Sequence, residues 1–259
     1  MTNDLITFNT KSIMIKIGKA IEKGACEDIR TYLENNNNAV NNALGFLRGD
    51  YIVTNIRNTV RDNSVEIKYF KRSSWTGCII IDHTDKNTYS VCAKSTLDRI
   101  PKNKNRKKPH YVQTLLNTEN RYEEAEERQM TLADFGILEE TQFTEEDYRK
   151  DFWEIMEETL SIEDNYKHWV VTYEVEHNSL VGVSAVLLNK EFAVVKEISI
   201  IDMLKPDFGN LTIEEPMDKQ IKDAHSLVSI KPGIIGRMAS EKEKHIEILP
   251  KHKEETKEV

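Results

Sequence analysis

The chain has 259 residues, with 39% hydrophobic and 31% charged positions, enough for a core that needs no metal or disulfide staple. Ten glycines and six prolines exclude a collagenous or low-complexity chain, and three cysteines suit a reducing cytoplasm better than a secreted disulfide scaffold. No stretch nears the roughly 18 apolar residues of a membrane span, and no signal pattern opens the chain, so a cytoplasmic protein without membrane contact is expected. The formal net charge of −8 conceals a split. Residues 1–112 carry 19 Lys/Arg against 11 Asp/Glu, or +8, and residues 113–259 carry 17 against 33, or −16. Such asymmetry is the pattern of a polyanion-facing part joined to an acidic remainder, or of an ordinary solvated surface.

In chain order, Ile13, Ile17, Ile21, Ile29 and Leu33 form one apolar stripe at helical spacing from about Thr10. The run Asn35–Asn38 ends it. Val40, Ala43, Leu44 and Leu47 predict a second, short helix stopped at Gly49. Asp50 reads as the N-cap of a third, through Ile52, Ile56 and Val60.

Period two follows. Val65, Ile67 and Tyr69 alternate with Glu66, Lys68 and Phe70; Gly77–His83 and Thr88–Lys94 make two further strands. The apolar side, with Val65, Ile67, Tyr69, Ile80, Val91 and Ala93, is the expected core face. The opposite side collects Glu66, Lys68, Arg72, His83, Thr88, Ser90 and Lys94, which reads as a solvated face or a site. Beyond a basic loop, Pro101–Pro109, residues 111–142 look weakly helical, and a firmer helix starts at Thr144 with Tyr148, Phe152, Ile155, Met156 and Leu160 inward. Trp169–Val175, Leu180–Leu188 and Phe192–Ile201 predict three more strands, with Asn189-Lys190 as a turn.

The expected class is therefore α+β: an antiparallel sheet from two three-stranded meanders, with an N-terminal helical region and central helices. Residues 1–240 are expected to form one domain, comprising a helical subregion 10–62, a meander 64–94, a basic loop with helices 95–162, and a meander 167–201. Residues 241–259 read as a charged, mobile tail.

The strings RGDYIVTNIR (Arg48–Arg57), KRSSWTGCIIID (Lys71–Asp82), TYSVCAKSTLDRI (Thr88–Ile100) and PHYVQTLL (Pro109–Leu116) resemble an uncharacterised family of Gram-positive prophage and mobile-element proteins. That resemblance covers about residues 40–200. It implies a setting of phage defence, toxin–antitoxin work or mobile-element regulation, and supplies no catalytic residues.

Chemistry is sparse. Glu66-Ile-Lys68 on a strand, preceded by Asp50 (which reads better as a helix N-cap) and followed by Asp82, is similar to the acidic-x-Lys arrangement of restriction-type nucleases. There two carboxylates hold Mg²⁺ and the lysine steadies the developing charge. Mg²⁺ is the one cofactor expected, and only if that nuclease reading holds. No Cys/His spacing predicts another metal site, no G-x-S-x-G marks a nucleophile, and no glycine-rich phosphate loop is present. A winged helix-turn-helix is the rival reading. It offers Asn55, Arg57, Asn58 and Arg61 to a groove, with Lys71, Arg72 and Trp75 at the wing tip. Lys94 adds to the basic strand face, and Lys102, Lys104, Arg106, Lys107, Lys108 and His110 make the basic loop a candidate phosphate-backbone contact.

Two functional expectations result. One is a protein directed at DNA or RNA through its basic front, with cleavage as an added option. The other is a protein-interaction module, antitoxin- or immunity-like, whose acidic half takes a protein partner or a second copy of the chain.

Overall fold

The computed structural model describes residues 6–61, 63–103, 105–125 and 143–204, all within one compact unit, Met1–Asp207. The predicted helical segments of 126–142 and the tail lie outside the described residues.

The first helix, α1 (Phe8–Glu22), opens at an N-cap where the Thr7 hydroxyl accepts from the Thr10 N–H at 3.0 Å. It buries Ile13, Ile17 and Ile21 of the predicted stripe, and Met14 beside them. A π-helical turn, Lys23–Glu27, carries it into α2 (Asp28–Asn35). Gly24 in that turn is required by close packing: a Cβ there would stand 2.6 Å from the Ile52 backbone nitrogen of α3 (Leu44–Thr59). The α3 helix corrects the sequence reading. It runs unbroken through Gly49 and Asp50, so Asp50 is no N-cap and the two helices of a helix-turn-helix are one. Gly49 lies in open space and costs the helix only its propensity, while Ile52 and Ile56 hold it against α1.

The sheet follows: β1 (Val65–Arg72), β2 (Trp75–Asp82), β3 (Asn87–Ala93), β4 (Lys167–Glu176), β5 (Ser179–Leu188) and β6 (Val194–Ser199). Spatial order equals chain order. Each meander is antiparallel, but β3 and β4 pair in parallel, Thr88 opposite His168 and Ser90 opposite Val170. A parallel pair needs a long crossover. Residues 94–166 supply it, with the short α4 (Lys94–Leu97), α5 (Tyr111–Thr118) and α6 (Glu145–Met156). The α6 helix starts in a capping box, Thr144 with Asp147. After β6, α7 (Ile201–Leu204) returns to α1, where Ile200 and Leu204 face Gly18.

The sheet is thus covered on both faces. Val65, Ile67, Ile80, Tyr89, Val91, Trp169 and Val171 meet α1 and α3, as the alternation predicted. The opposite face, read as a solvated face or a site, is a second core: Phe70, Ile79, Ile81, Cys92 and Val170 pack against Leu115 and Leu116 of α5 and Phe152 and Ile155 of α6. Thr88 and Ser90 are buried in it. The crossover is the cause, since its helices must lie over one face of the sheet. No helix among the described residues is long and apolar enough to cross a membrane.

Candidate functional site

The predicted Glu66, Lys68 and Asp82 do not converge. Glu66 is opposite Ile81 on β2, and Asp82 is opposite Val65, so the two carboxylates lie on different faces of the sheet. Lys68 donates to Glu157 at 2.6 Å, and Glu66 faces His83 Nε2 at 3.5 Å. The other ring nitrogen of His83 is 2.9 Å from the Tyr166 hydroxyl. Among the described residues, no three His, Cys, Asp or Glu gather as a metal-binding group.

Several cations expected to meet nucleic acid are engaged within the chain. Arg72 pairs with Asp151, Lys108 with Glu154 and Lys94 with Glu174. Arg106 is half-buried and donates to the carbonyls of Ile100 and Asn103, which ties the basic loop down. His110 is the N-cap of α5, its Nδ1 accepting from the Val112 N–H at 3.3 Å. Burial, and then the charges of Arg106 and Arg72, push its pKa down to about 4, so it is neutral at pH 7. Trp75 packs on Phe70 and Tyr111, with ring centroids 5.6 and 5.5 Å away, instead of tipping a wing. Asn55 is buried and bonded to Asp28 at 2.6 Å. Lys102 and Lys107 are exposed, and Lys104 lies outside the described residues.

What the structure does bring together is a groove beside the sheet edge. Arg57 and Arg61, one turn apart at the end of α3, stand with Val60 and Asn63 over Val65, Ile67 and Tyr69 of β1. The groove encloses about 430 Å³. Lys71 continues the same strand face beyond Tyr69. Arg57, Arg61 and Lys71 are exposed and make no ion pair among the described residues. Tyr69 is 43% exposed, so a flat aromatic edge lies between cations. Among the described residues β1 is the edge strand of the sheet, with no strand paired on its outer side.

Sequence reasoning missed the most buried polar groups. Glu119, at the end of α5, is hydrogen-bonded to the Thr88 hydroxyl. That hydroxyl is 2.8 Å from His168 Nδ1, and His168 Nε2 is 2.9 Å from the Ser90 hydroxyl. Burial pushes the Glu119 carboxyl up to about 8 and the His168 imidazole down to about 3. Both are therefore neutral at pH 7, although Glu119 Oε2 and His168 Nδ1 stand 3.6 Å apart. The Thr88 hydroxyl donates to Glu119 Oε2, which leaves His168 Nδ1–H to donate to Thr88 and His168 Nε2 to accept from the Ser90 hydroxyl. Glu119 Oε1 is left without a partner. No spacing motif could have revealed this set, because β3, α5 and β4 meet only through the crossover.

The molecule is thus a mixed-sheet α+β protein with helices on both faces and a cationic groove at one sheet edge. The model of a family of unknown function, DUF5986, matches residues 8–251, and the chain belongs to that family. No curated protein and no solved structure matches it.

Proposed function

We propose that the protein binds the phosphate backbone of DNA or RNA in the groove between α3 and β1. The observation that carries this reading is the grouping of Arg57, Arg61 and the half-exposed Tyr69 around one open groove, with no carboxylate paired to either arginine among the described residues. Guanidinium forks suit phosphate oxygens, and a phenol ring offers a base a stacking surface at no cost in sequence generality. The alternative, partner binding by the acidic half, has less support at α6, where Asp151 and Glu154, and Glu157 just past its end, are already paired with cations of the basic front. The resemblance to prophage and mobile-element proteins supports a setting in phage defence, toxin–antitoxin work or mobile-element regulation.

Anisotropy titrations of labelled single- and double-stranded oligonucleotides at several salt concentrations test the proposal. Affinity should fall steeply as salt rises, since each neutralised phosphate releases counterions. Binding that does not change with salt, or no binding at low salt, overturns it.

A further inference from the structure

On the face opposite the Glu119 chain, two carboxylates of the β2–β3 hairpin converge on one point. Asp82 Oδ2, at the end of β2, and Asp85 Oδ2, in the hairpin loop, both accept from a single nitrogen, Asn9 Nδ2 of α1, at 3.0 and 3.1 Å. Thr10 Oγ1 is 2.9 Å from Asp85 Oδ2, and the Thr7 hydroxyl donates to the same oxygen. The Thr84 N–H donates to Asp82 Oδ1 at 3.0 Å. Asp82 is fully buried, and neither aspartate makes an ion pair among the described residues. A second feature points to the same place. Tyr89 is fully buried, and its hydroxyl, which faces Thr10, Asn87 and both carboxylates, has no hydrogen-bond partner. Buried hydroxyls are nearly always satisfied, by protein or by bound water.

We propose that Asp82 and Asp85 hold a hard divalent cation of the Mg²⁺, Mn²⁺ or Ca²⁺ class, with Asn9 and Thr10 supplying neutral oxygens. The Asn9 amide now places a donor between the two carboxylate oxygens; a half-turn of its side chain presents Oδ1 instead. Two carboxylates with neutral oxygens and several retained waters are what a small hard cation accepts. The Tyr89 hydroxyl then gains an acceptor in a water of that shell. Two full negative charges outweigh the roughly half positive charge of the α1 N-terminus beside them. Val65, on the groove floor, is the cross-strand partner of Asp82, so the cation lies at the end of the α3–β1 groove. The cation site stands on its own residues and does not rest on the nucleic-acid reading.

Terbium(III), a hard cation of similar oxygen preference, is the probe. Trp169, whose Nε1 donates to Asn87 Oδ1 at 3.3 Å, and Tyr89 are placed to transfer excitation to it. The full chain should give sensitised terbium emission that Mn²⁺ or Ca²⁺ displaces, and Mn²⁺ should raise its melting temperature. Asp85→Asn, which is isosteric and still accepts from Thr7 and Thr10, should weaken terbium binding by about tenfold or more. Glu145→Gln, on the exposed start of α6, should leave it unchanged. Absence of sensitised emission and of any melting shift from the full chain overturns the proposal. Emission that survives Asp85→Asn undiminished also overturns it, because the metal is then held elsewhere on the acidic surface.

Discussion

Arg72 on β1 and Asp151 on α6 form an ion pair in which the arginine side chain is 21% exposed and the aspartate 3%. It joins the basic front of the chain to its acidic back. Asp151 and Glu154, one above the other on α6, and Glu157 just past its end meet Arg72, Lys108 and Lys68. Much of the charge split visible in the sequence therefore closes on itself inside one fold. Asp151 also accepts from the Thr114 hydroxyl, so it pins α5, α6 and the sheet edge together.

Removing one side of that pair leaves the other poorly compensated. Asp151→Ala should cost about 3 kcal/mol, toward the lower end for a broken buried pair because Arg72 can partly rehydrate. The double variant Arg72→Met/Asp151→Leu should recover most of that loss. Urea unfolding with an unchanged m-value measures both. Equal losses in the single and double variants would show that the packing of the two side chains, and not the uncompensated charge, sets the cost.

The groove and the basic loop should separate in binding experiments. If each groove arginine neutralises one phosphate, Arg57→Ala/Arg61→Ala should reduce the slope of log K against log salt by about 2 for duplex DNA. Lys108→Ala should leave the slope unchanged, because Lys108 is held by Glu154 at 2.6 Å. It should also change stability by less than about 1 kcal/mol, as exposed pairs do. The opposite ranking would move the binding surface from the groove to the loop.

How far the fold could be read in advance depends on which signal each element carried. Ile13, Ile17 and Ile21 repeat on one face of α1, and Val65, Ile67, Ile80 and Val91 alternate correctly, so both fell where expected. The β1–β2 turn spans two residues, with Arg72 opposite Trp75. The spacing of the two strands suggests a four-residue loop over Ser73–Thr76, with Arg72 opposite Gly77, and that shift of two leaves the faces unchanged. The second core was legible in one place: Cys78-Ile79-Ile80-Ile81 is continuously apolar, the mark of a strand buried on both sides. Thr88 and Ser90 obscured it, since hydroxyls look solvent-facing until their partners His168 and Glu119 are known. Asp82 was reached from the sequence but coupled to Glu66. Its actual neighbour, Asp85, comes from the fold of a four-residue loop between Asp82 and Asn87. Gly49-Asp50 looked like a helix break because local preference was weighed without the α1 surface that holds α3 together.

Asn120 offers a test of the crossover itself. It is fully buried, its Nδ2 donates to the carbonyls of His168 and Leu188 at 2.8 Å each, and its Oδ1 accepts from the His168 N–H at 2.7 Å. One side chain thus closes the end of α5 onto β4 and β5. Asn120→Ala would strand three backbone groups, each costing about 1–3 kcal/mol when unsatisfied. A loss of at least about 3 kcal/mol is expected by urea unfolding. A much smaller loss would mean that water enters and replaces the amide.

The last prediction concerns pH. Glu119 is raised from 4.5 to about 8 in the folded chain, so it binds more protons folded than unfolded between those values, and its contribution to stability falls as pH rises through that window. His168 and His110 are lowered from 6.5 to about 3 and about 4, so they bind fewer protons when folded, and their contribution falls as pH drops below 6.5. Between 4.5 and 6.5 the carboxyl and imidazole effects oppose one another. Above 6.5 Glu119 acts alone among the three, and stability should decline toward pH 8. Below 4.5 the histidines dominate, and stability should decline again. Melting temperature against pH should therefore show two limbs. Glu119→Gln keeps a polar group for Thr88 and cannot ionise, so it should flatten the alkaline limb and leave the acid limb in place. An alkaline limb that persists in that variant would assign the loss to another group and would mean that Glu119 is already ionised in the folded protein near pH 7.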